Sequence, residues 1–203
     1  AMQHGKDVLV DKPGVTSAEQ LQRVQQMVAQ SGRIFSICFS ERHIVPGVQE
    51  ALKWVQAGAI GTPIQTLGMG PHRLNATIRP PWFFDPSQFG GILVDIASHQ
   101  IDQFLAFTGS NHAEVVHSHI GHYGANAAHP DFENFGEIIL HTPAHRGYVR
   151  VDWFTPDGLP TWGDGRLFVM GTHGSIEVRK YIDIEGRPGT NHVFLADQKG
   201  TRH

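Results

Sequence analysis

The chain has 203 residues, 40% of them hydrophobic and 17% charged, with a formal net charge of −3. That is enough apolar material for one large domain or parts of two, and the charge leaves no basic footprint for nucleic acid or an anionic membrane surface. No apolar run is long enough to cross a bilayer, and the single cysteine, Cys38, excludes an internal disulfide framework and suits a reducing, cytoplasmic setting.

Residues 1–5 read as the last turn of a helix, with Gly5 at its end. Residues 7–10 form a short apolar strand of the parallel-sheet kind, and Asp11-Lys12-Pro13 follows at its carboxyl end, where open α/β sheets bind ligands. Thr16-Ser-Ala-Glu19 is a capping box that opens a helix with Leu21, Val24 and Val28 on one side and Gly32 at its close. Residues 34–39 make a second strand, so the unit is a parallel strand–helix–strand crossover. Two strands do not make a stable domain, so further strands are expected beside them.

A helix over 46–57 opens with Pro46 and carries Val48, Leu52 and Val55 as a stripe. After a strand over 64–69, a polar and aromatic loop runs through His72, Arg73, Asn75, Arg79 and Trp82 into a helix over 90–109. Strands at 113–120, 135–141, 147–154, 166–170 and 174–179 follow without helices between them, which implies an antiparallel sheet. The fold class expected is therefore α/β plus α+β, with a large, mostly antiparallel open sheet packed on helices. On the strand over 147–154, Val149, Val151 and Trp153 share one face and Tyr148, Arg150 and Asp152 the other.

The helix over 90–109 is apolar nearly all the way round, as a buried helix is, yet it contains Asp95, His99 and Asp102 on one face. One turn apart, a carboxylate can hydrogen-bond an imidazole, fix its tautomer and raise its basicity. A satisfied buried pair that ties the helix to its sheet would look the same. Asp102 lies about 10 Å further along the axis and is expected to serve the fold, by anchoring a loop backbone. Lys12, fixed by Pro13 at a strand end, is placed to donate to a ligand, although most strand-end lysines are merely solvated. His72, Arg73, Asn75, Arg79 and Trp82 make a pocket wall or lid, or else an ordinary surface loop. The fourteen histidines, His117, His119 and His122 included, form no metal-ligand spacing, and no metal is expected. Gly68-x-Gly70 has no helix after it and is not a nucleotide loop.

Four separated motifs carry a resemblance. Gly5-Lys6-x-Val8-Leu-x-Asp11-Lys12-Pro13 is similar to a motif usually written with Glu in place of Asp11. Gly90-Gly-x-Leu-x-Asp95-x-x-x-His99-x-x-Asp102 is similar to a second signature of the same family. Arg42-x-x-x-Pro46 with Gly58-x-Ile60-Gly61, and Val169-x-Gly171-Thr-x-Gly174-Ser-Ile-Glu177, match in order and spacing. The chain thus resembles the Gfo/Idh/MocA oxidoreductases, which act with NAD or NADP mostly on sugars and polyols.

The resemblance implies that Lys12 hydrogen-bonds the reacting hydroxyl, that His99 is the general base, and that Asp95 binds substrate and orients His99. Substrate contacts are implied for His72 and Asn75, with Arg79 and Trp82 of the same loop expected beside them, and cofactor contacts are expected for Lys12, Pro13 and Arg42. Residues 1–43 would be the end of a Rossmann dinucleotide-binding domain and residues 44–203 a substrate domain. The Gly-x-Gly-x-x-Gly fingerprint and a final helix are absent, so the resemblance implies a chain truncated at both ends and inactive alone. It also implies a homo-oligomer, dimer or tetramer, through the open sheet face. Two other readings stay open: a glycosidase that oxidises its substrate transiently with bound NAD, and a non-catalytic sugar- or nucleotide-sensing regulator.

Overall fold

In a computed structural model, residues 1–124 and 128–203 are described. A 3-10 turn, Met2–His4, closes on Gly5 and leads into β1 (Val8–Asp11), α1 (Ala18–Ser31) and β2 (Phe35–Cys38). β1 and β2 pair in parallel, with Val8 opposite Phe35. The start of α1 differs by one residue from the capping box read in the sequence. Ser17, not Thr16, is the cap and accepts from the Gln20 N–H at 3.2 Å, while the Gln20 side chain returns to the Thr16 N–H at 2.8 Å. The residue three places after the true cap is Gln20, and its amide serves where Glu19 was expected. No residue of α1 is buried, and Leu9 and Ile34 are 71% and 63% exposed, because two strands give a crossover helix too little to pack on.

A short α2 (Ser40–His43) and α3 (Pro46–Gln56) follow, with Pro46 in the first turn of α3. Then come β3 (Pro63–Pro71), α4 (Pro86–Phe89), α5 (Ile92–Asp95) and α6 (Ala97–Thr108). The remaining strands are β4 (Glu114–Gly121), β5 (Phe135–His141), β6 (Arg146–Asp152), β7 (Arg166–Gly171), β8 (Gly174–Arg179), β9 (His192–Asp197) and β10 (Gly200–Arg202). They join β3 in one eight-stranded sheet ordered β10-β9-β8-β7-β3-β6-β5-β4. The sheet is antiparallel except where β3 runs parallel to β6. β9 and β10 extend it beyond the strands legible in the sequence, where His, Asn, Asp and Gly dilute the apolar alternation.

One face of the sheet packs on the helices. Ile138 and Leu140 of β5, Val149 and Val151 of β6, Leu167 and Val169 of β7, and Ile176 and Val178 of β8 are all buried. They fall into two apolar clusters, one with Ile92, Ile96 and Phe104, the other with Val48, Ala51 and Phe107. Gly68 and Gly70 on β3 let α6 come close. A Cβ at Gly68 would lie 2.8 Å from Gln100 Oε1, and one at Gly70 would lie 3.1 Å from Ile96 Cγ2. Among the described residues, no helix is long and apolar enough to cross a membrane.

The single helix expected over 90–109 is instead interrupted. Gly90 and Gly91 have φ of 82° and 86°, a region costly for other residues, and α5 opens only at Ile92, whose N–H donates to Glu133 Oε2 at 2.9 Å. Ile96, at φ −99° and ψ −46°, separates α5 from α6. The Ser98 hydroxyl donates to the Asp95 carbonyl at 3.2 Å, a local bond that competes with the helical ladder at this joint.

Candidate active site

The turn after β1 brings Lys12 to the helical layer. Its Nζ lies 2.6 Å from Asp95 Oδ1, with the two side chains 22% and 14% exposed. Asp11, standing where the resembling motif has Glu, accepts from the Lys12 N–H at 2.9 Å and so stiffens the turn. Asp95 therefore pairs with Lys12. The hydrogen bond from His99 to the Asp95 carboxylate, expected from one-turn spacing, is not among the contacts of the described residues. A charged ammonium is the stronger partner for a carboxylate, and the break at Ile96 removes the regular one-turn geometry.

His99 lies in the first turn of α6 and is 4% exposed. Its ring stands edge-on to Phe39, at the end of β2, with centroids 6.1 Å apart. Its Nδ1 is buried with no hydrogen-bond partner among the described residues. Burial pushes its pKa down, Glu41 opposes that shift, and Lys12 and Lys180 add to it. The neutral imidazole is thus favoured, which is the form a general base needs.

His72, just past β3, joins the same group. Its Nδ1 lies 3.0 Å from the Gly70 carbonyl, and its ring packs between Trp153 and Trp162 with centroids at 5.3 and 4.4 Å. Burial lowers its pKa to about 4, against the weaker opposing influence of the Gly70 carbonyl and of Glu41. Lys12 and Asp95 also act on it, so Lys12, Asp95, His99 and His72 form one electrostatic neighbourhood.

Other candidates fall elsewhere. Arg79 donates through Nε to the Leu74 carbonyl at 2.9 Å, and its guanidinium lies 4.5 Å from the Phe83 ring centroid and 5.3 Å from that of Trp153. Trp82 is 51% exposed and meets Phe83 edge-on at 6.1 Å, while Asn75 is an exposed residue at φ 48°. Among the described residues, no hydrogen bond, ion pair or ring contact joins Asn75, Arg79 or Trp82 to Lys12, Asp95 or His99. Pro13 directly follows Lys12 in the turn. Arg42, expected to face a cofactor, is gripped by Asp102, with Nε and Nη2 at 2.6 and 2.8 Å from the two carboxylate oxygens. That pair also corrects the expectation for Asp102, which anchors a side chain of α2 and not a loop backbone. A bidentate guanidinium–carboxylate pair satisfies both groups.

Sequence reading missed Trp162, Glu41 and Lys180. A tryptophan in the Gly- and Asp-rich stretch over 161–165 was a usable signal; nothing near Lys180 hinted at its burial, 1% exposed. Two cavities, of about 660 and 440 Å³, are lined by residues such as Phe168, Arg179 and Phe194, and Arg150, Asp152 and Asp164. Neither contains Lys12 or His99. His119 Nε2 meets the Tyr123 hydroxyl at 3.2 Å, and among the described residues no group of three or more His, Cys, Asp or Glu could hold a metal ion.

A family model described as GFO/IDH/MocA C-terminal domain matches residues 48–177. A curated relative, scyllo-inositol 2-dehydrogenase (NAD(+)) of Bacillus subtilis strain 168, is 28% identical over 207 residues, which cover 99% of this chain and 54% of the relative. The chain thus spans about half the length of that relative. A crystal structure of a candidate oxidoreductase from Erwinia carotovora atroseptica SCRI1043 is 48% identical, with a TM-score of 0.95 over 99% of this chain and 60% of its own. Levoglucosan dehydrogenase in complex with NADH and levoglucosan shares the fold, with a TM-score of 0.78 and 20% identity over 100% of this chain and 55% of its own.

Proposed function

The chain belongs to the GFO/IDH/MocA family, and from that premise we propose that its protein is an oxidoreductase that moves a hydride between a CH–OH carbon of a sugar or polyol and NAD or NADP. The observation that carries this reading is the 2.6 Å pair of Lys12 and Asp95 beside a buried, neutral His99, at the carboxyl end of a parallel strand. The relatives support the substrate class: one bears the name of an inositol dehydrogenase and another was solved with levoglucosan.

Residues 1–43 are read as the end of the dinucleotide-binding domain and residues 44–203 as the substrate domain. The residues present fit the reactive end of a nicotinamide cofactor, since Lys12 and Pro13 lie where β1 ends beside its parallel partner β2. Lys12 and Pro13 would hold that end; when bound, the cofactor accepts or returns the hydride. In the oxidative direction Lys12 Nζ donates to the reacting oxygen, while Asp95 keeps the ammonium aimed. As the C–H electron pair leaves as hydride, the hydroxyl proton passes to His99. With Nδ1 sealed in the interior, Nε2 is the nitrogen left to take it. His72 and Trp162 line the substrate side, and a reducing, cytoplasmic setting suits the free Cys38.

The test is cofactor reduction by the full-length protein with NAD or NADP across inositols, aldoses and anhydrosugars. The expected result is net reduced cofactor with at least one of them. Substituting His99→Ala is expected to lower turnover about 100-fold or more, roughly 3 kcal/mol of barrier. Near-normal turnover in that variant would remove His99 from the mechanism. Ligand binding without turnover across the panel would favour a sensor, and free sugar released from a glycoside without reduced cofactor would favour the glycosidase reading.

A further inference from the structure

The proposed hydride transfer makes no use of one deeply buried ion pair. Glu41 on α2 and Lys180, just after β8, meet at 2.5 Å with side chains 4% and 0% exposed. From α6, Gln100 Nε2 and Gln103 Nε2 donate to the same Glu41 oxygen at 2.9 and 3.1 Å. The Gln103 amide also donates to the His99 carbonyl at 3.0 Å. Three elements that are remote in sequence thus converge on one carboxylate oxygen, directly behind the turn that carries His99.

Fold stability alone explains this poorly. A buried ion pair costs so much desolvation that apolar residues of the same shape often do as well or better. The location suggests a different use. Among the described residues His99 has no hydrogen-bond partner for its buried Nδ1, so burial first and nearby charges after it set its basicity. The charged groups that act on it are Glu41 from α2, Lys12 from the end of β1, Lys180 after β8, and Asp102 on its own helix. The two carboxylates favour the imidazolium and the two lysines oppose it. Asp102 is held by Arg42, which leaves Glu41 as the main support.

We infer that Glu41, kept ionised by Lys180, is a positioning residue for His99: its carboxylate supports the imidazolium as the proton arrives, and its bridge through Gln103 fixes the turn that carries the ring. Burial pushes the Glu41 carboxyl up, yet Lys180, and after it His99, bring it down to about 2, so the charge persists at working pH. The catalytic meaning of this arrangement rests on His99 being the proton acceptor; the electrostatic link between Glu41 and His99 does not.

The experiment follows histidine ring resonances by NMR in the full-length protein as pH is varied, with the His99 signal identified by its loss in His99→Gln. Glu41→Gln keeps the shape and an acceptor oxygen while removing the charge. The His99 titration midpoint is expected to fall by about half a pH unit or more. The acid limb of kcat/KM should move the same way, toward lower pH. An unmoved midpoint in folded Glu41→Gln overturns the inference, as does a loss of kcat with an unmoved midpoint, which is what a merely structural role gives. If Glu41→Gln does not fold, the neutral pair Glu41→Gln with Lys180→Met replaces it. The midpoint should still fall, by less, because Glu41 acts on His99 more strongly than Lys180 does; an unmoved or raised midpoint there overturns the inference equally. A shifted midpoint in a protein that reduces no cofactor would leave this link standing and sink the proposed reaction instead.

Discussion

Lys12 and Asp95 meet at 2.6 Å although 83 residues separate them. Both were legible as candidates, Lys12 from its strand end and Asp95 from its helix, but their pairing was not, because spacing along one helix favoured His99 as the partner of Asp95. Substituting Asp95→Asn keeps the shape and frees the ammonium. We expect kcat/KM to fall roughly tenfold or more, as when a charge-assisted hydrogen bond is lost, measured by steady-state cofactor reduction. His72 makes a separate prediction about pH. Its folded pKa is depressed from 6.5 to about 4, so between those values the unfolded chain binds more protons than the fold. The stability it contributes is therefore complete above its unfolded pKa and is lost as pH falls toward about 4, by roughly 3 kcal/mol at most. Urea unfolding of the full-length protein at neutral and mildly acidic pH should display this loss, and His72→Gln should flatten it. An equally steep loss in the variant would assign the pH dependence to other groups.

At the scale of elements, the joint between α5 and α6 is the main departure from the sequence pattern. The apolar residues go round continuously from Ile92 to Phe107, and periodicity carries no mark of a break that depends on Ser98 bonding back to Asp95 and on Lys12 arriving from another part of the chain. The close approach of α6 to β3 is a second element-scale feature, and Gly68-x-Gly70 announced it without saying which helix would come near. Substituting Gly68→Ala places a methyl 2.8 Å from Gln100 Oε1 and 3.1 Å from Gln100 Cβ. We expect a loss of about 1–3 kcal/mol from overpacking, read as a lower urea midpoint with an unchanged slope. A variant as stable as the parent would mean that α6 can retreat freely from the sheet.

At the scale of the whole molecule, the second face of the eight-stranded sheet carries no helix among the described residues. It mixes apolar side chains, such as Ile139, 38% exposed, and Met170, 37% exposed, with paired charges such as Arg179 and Glu177 at 2.8 Å. We propose that this face packs against a second copy, giving a dimer or tetramer. Sedimentation of the full-length protein should then show a species of at least twice the monomer mass, and Ile139→Arg should shift it toward monomer. A monomer at micromolar concentration would remove the proposal.

The sequence by itself determined most of the element types, the parallel crossover followed by a mostly antiparallel sheet, and the family, because hydrophobic periods and short motifs are properties of neighbouring residues. It also marked Asp95 and His99 as chemically loaded, since ionisable groups in an apolar helix stand out without coordinates, and Lys12 from its strand end before Pro13. Only the tertiary structure decided how those charges pair. Asp95 goes to Lys12, Asp102 to Arg42 and Glu41 to Lys180. Each partner comes from an element far away in the chain, and an ion pair depends on distance and burial, which no local pattern encodes.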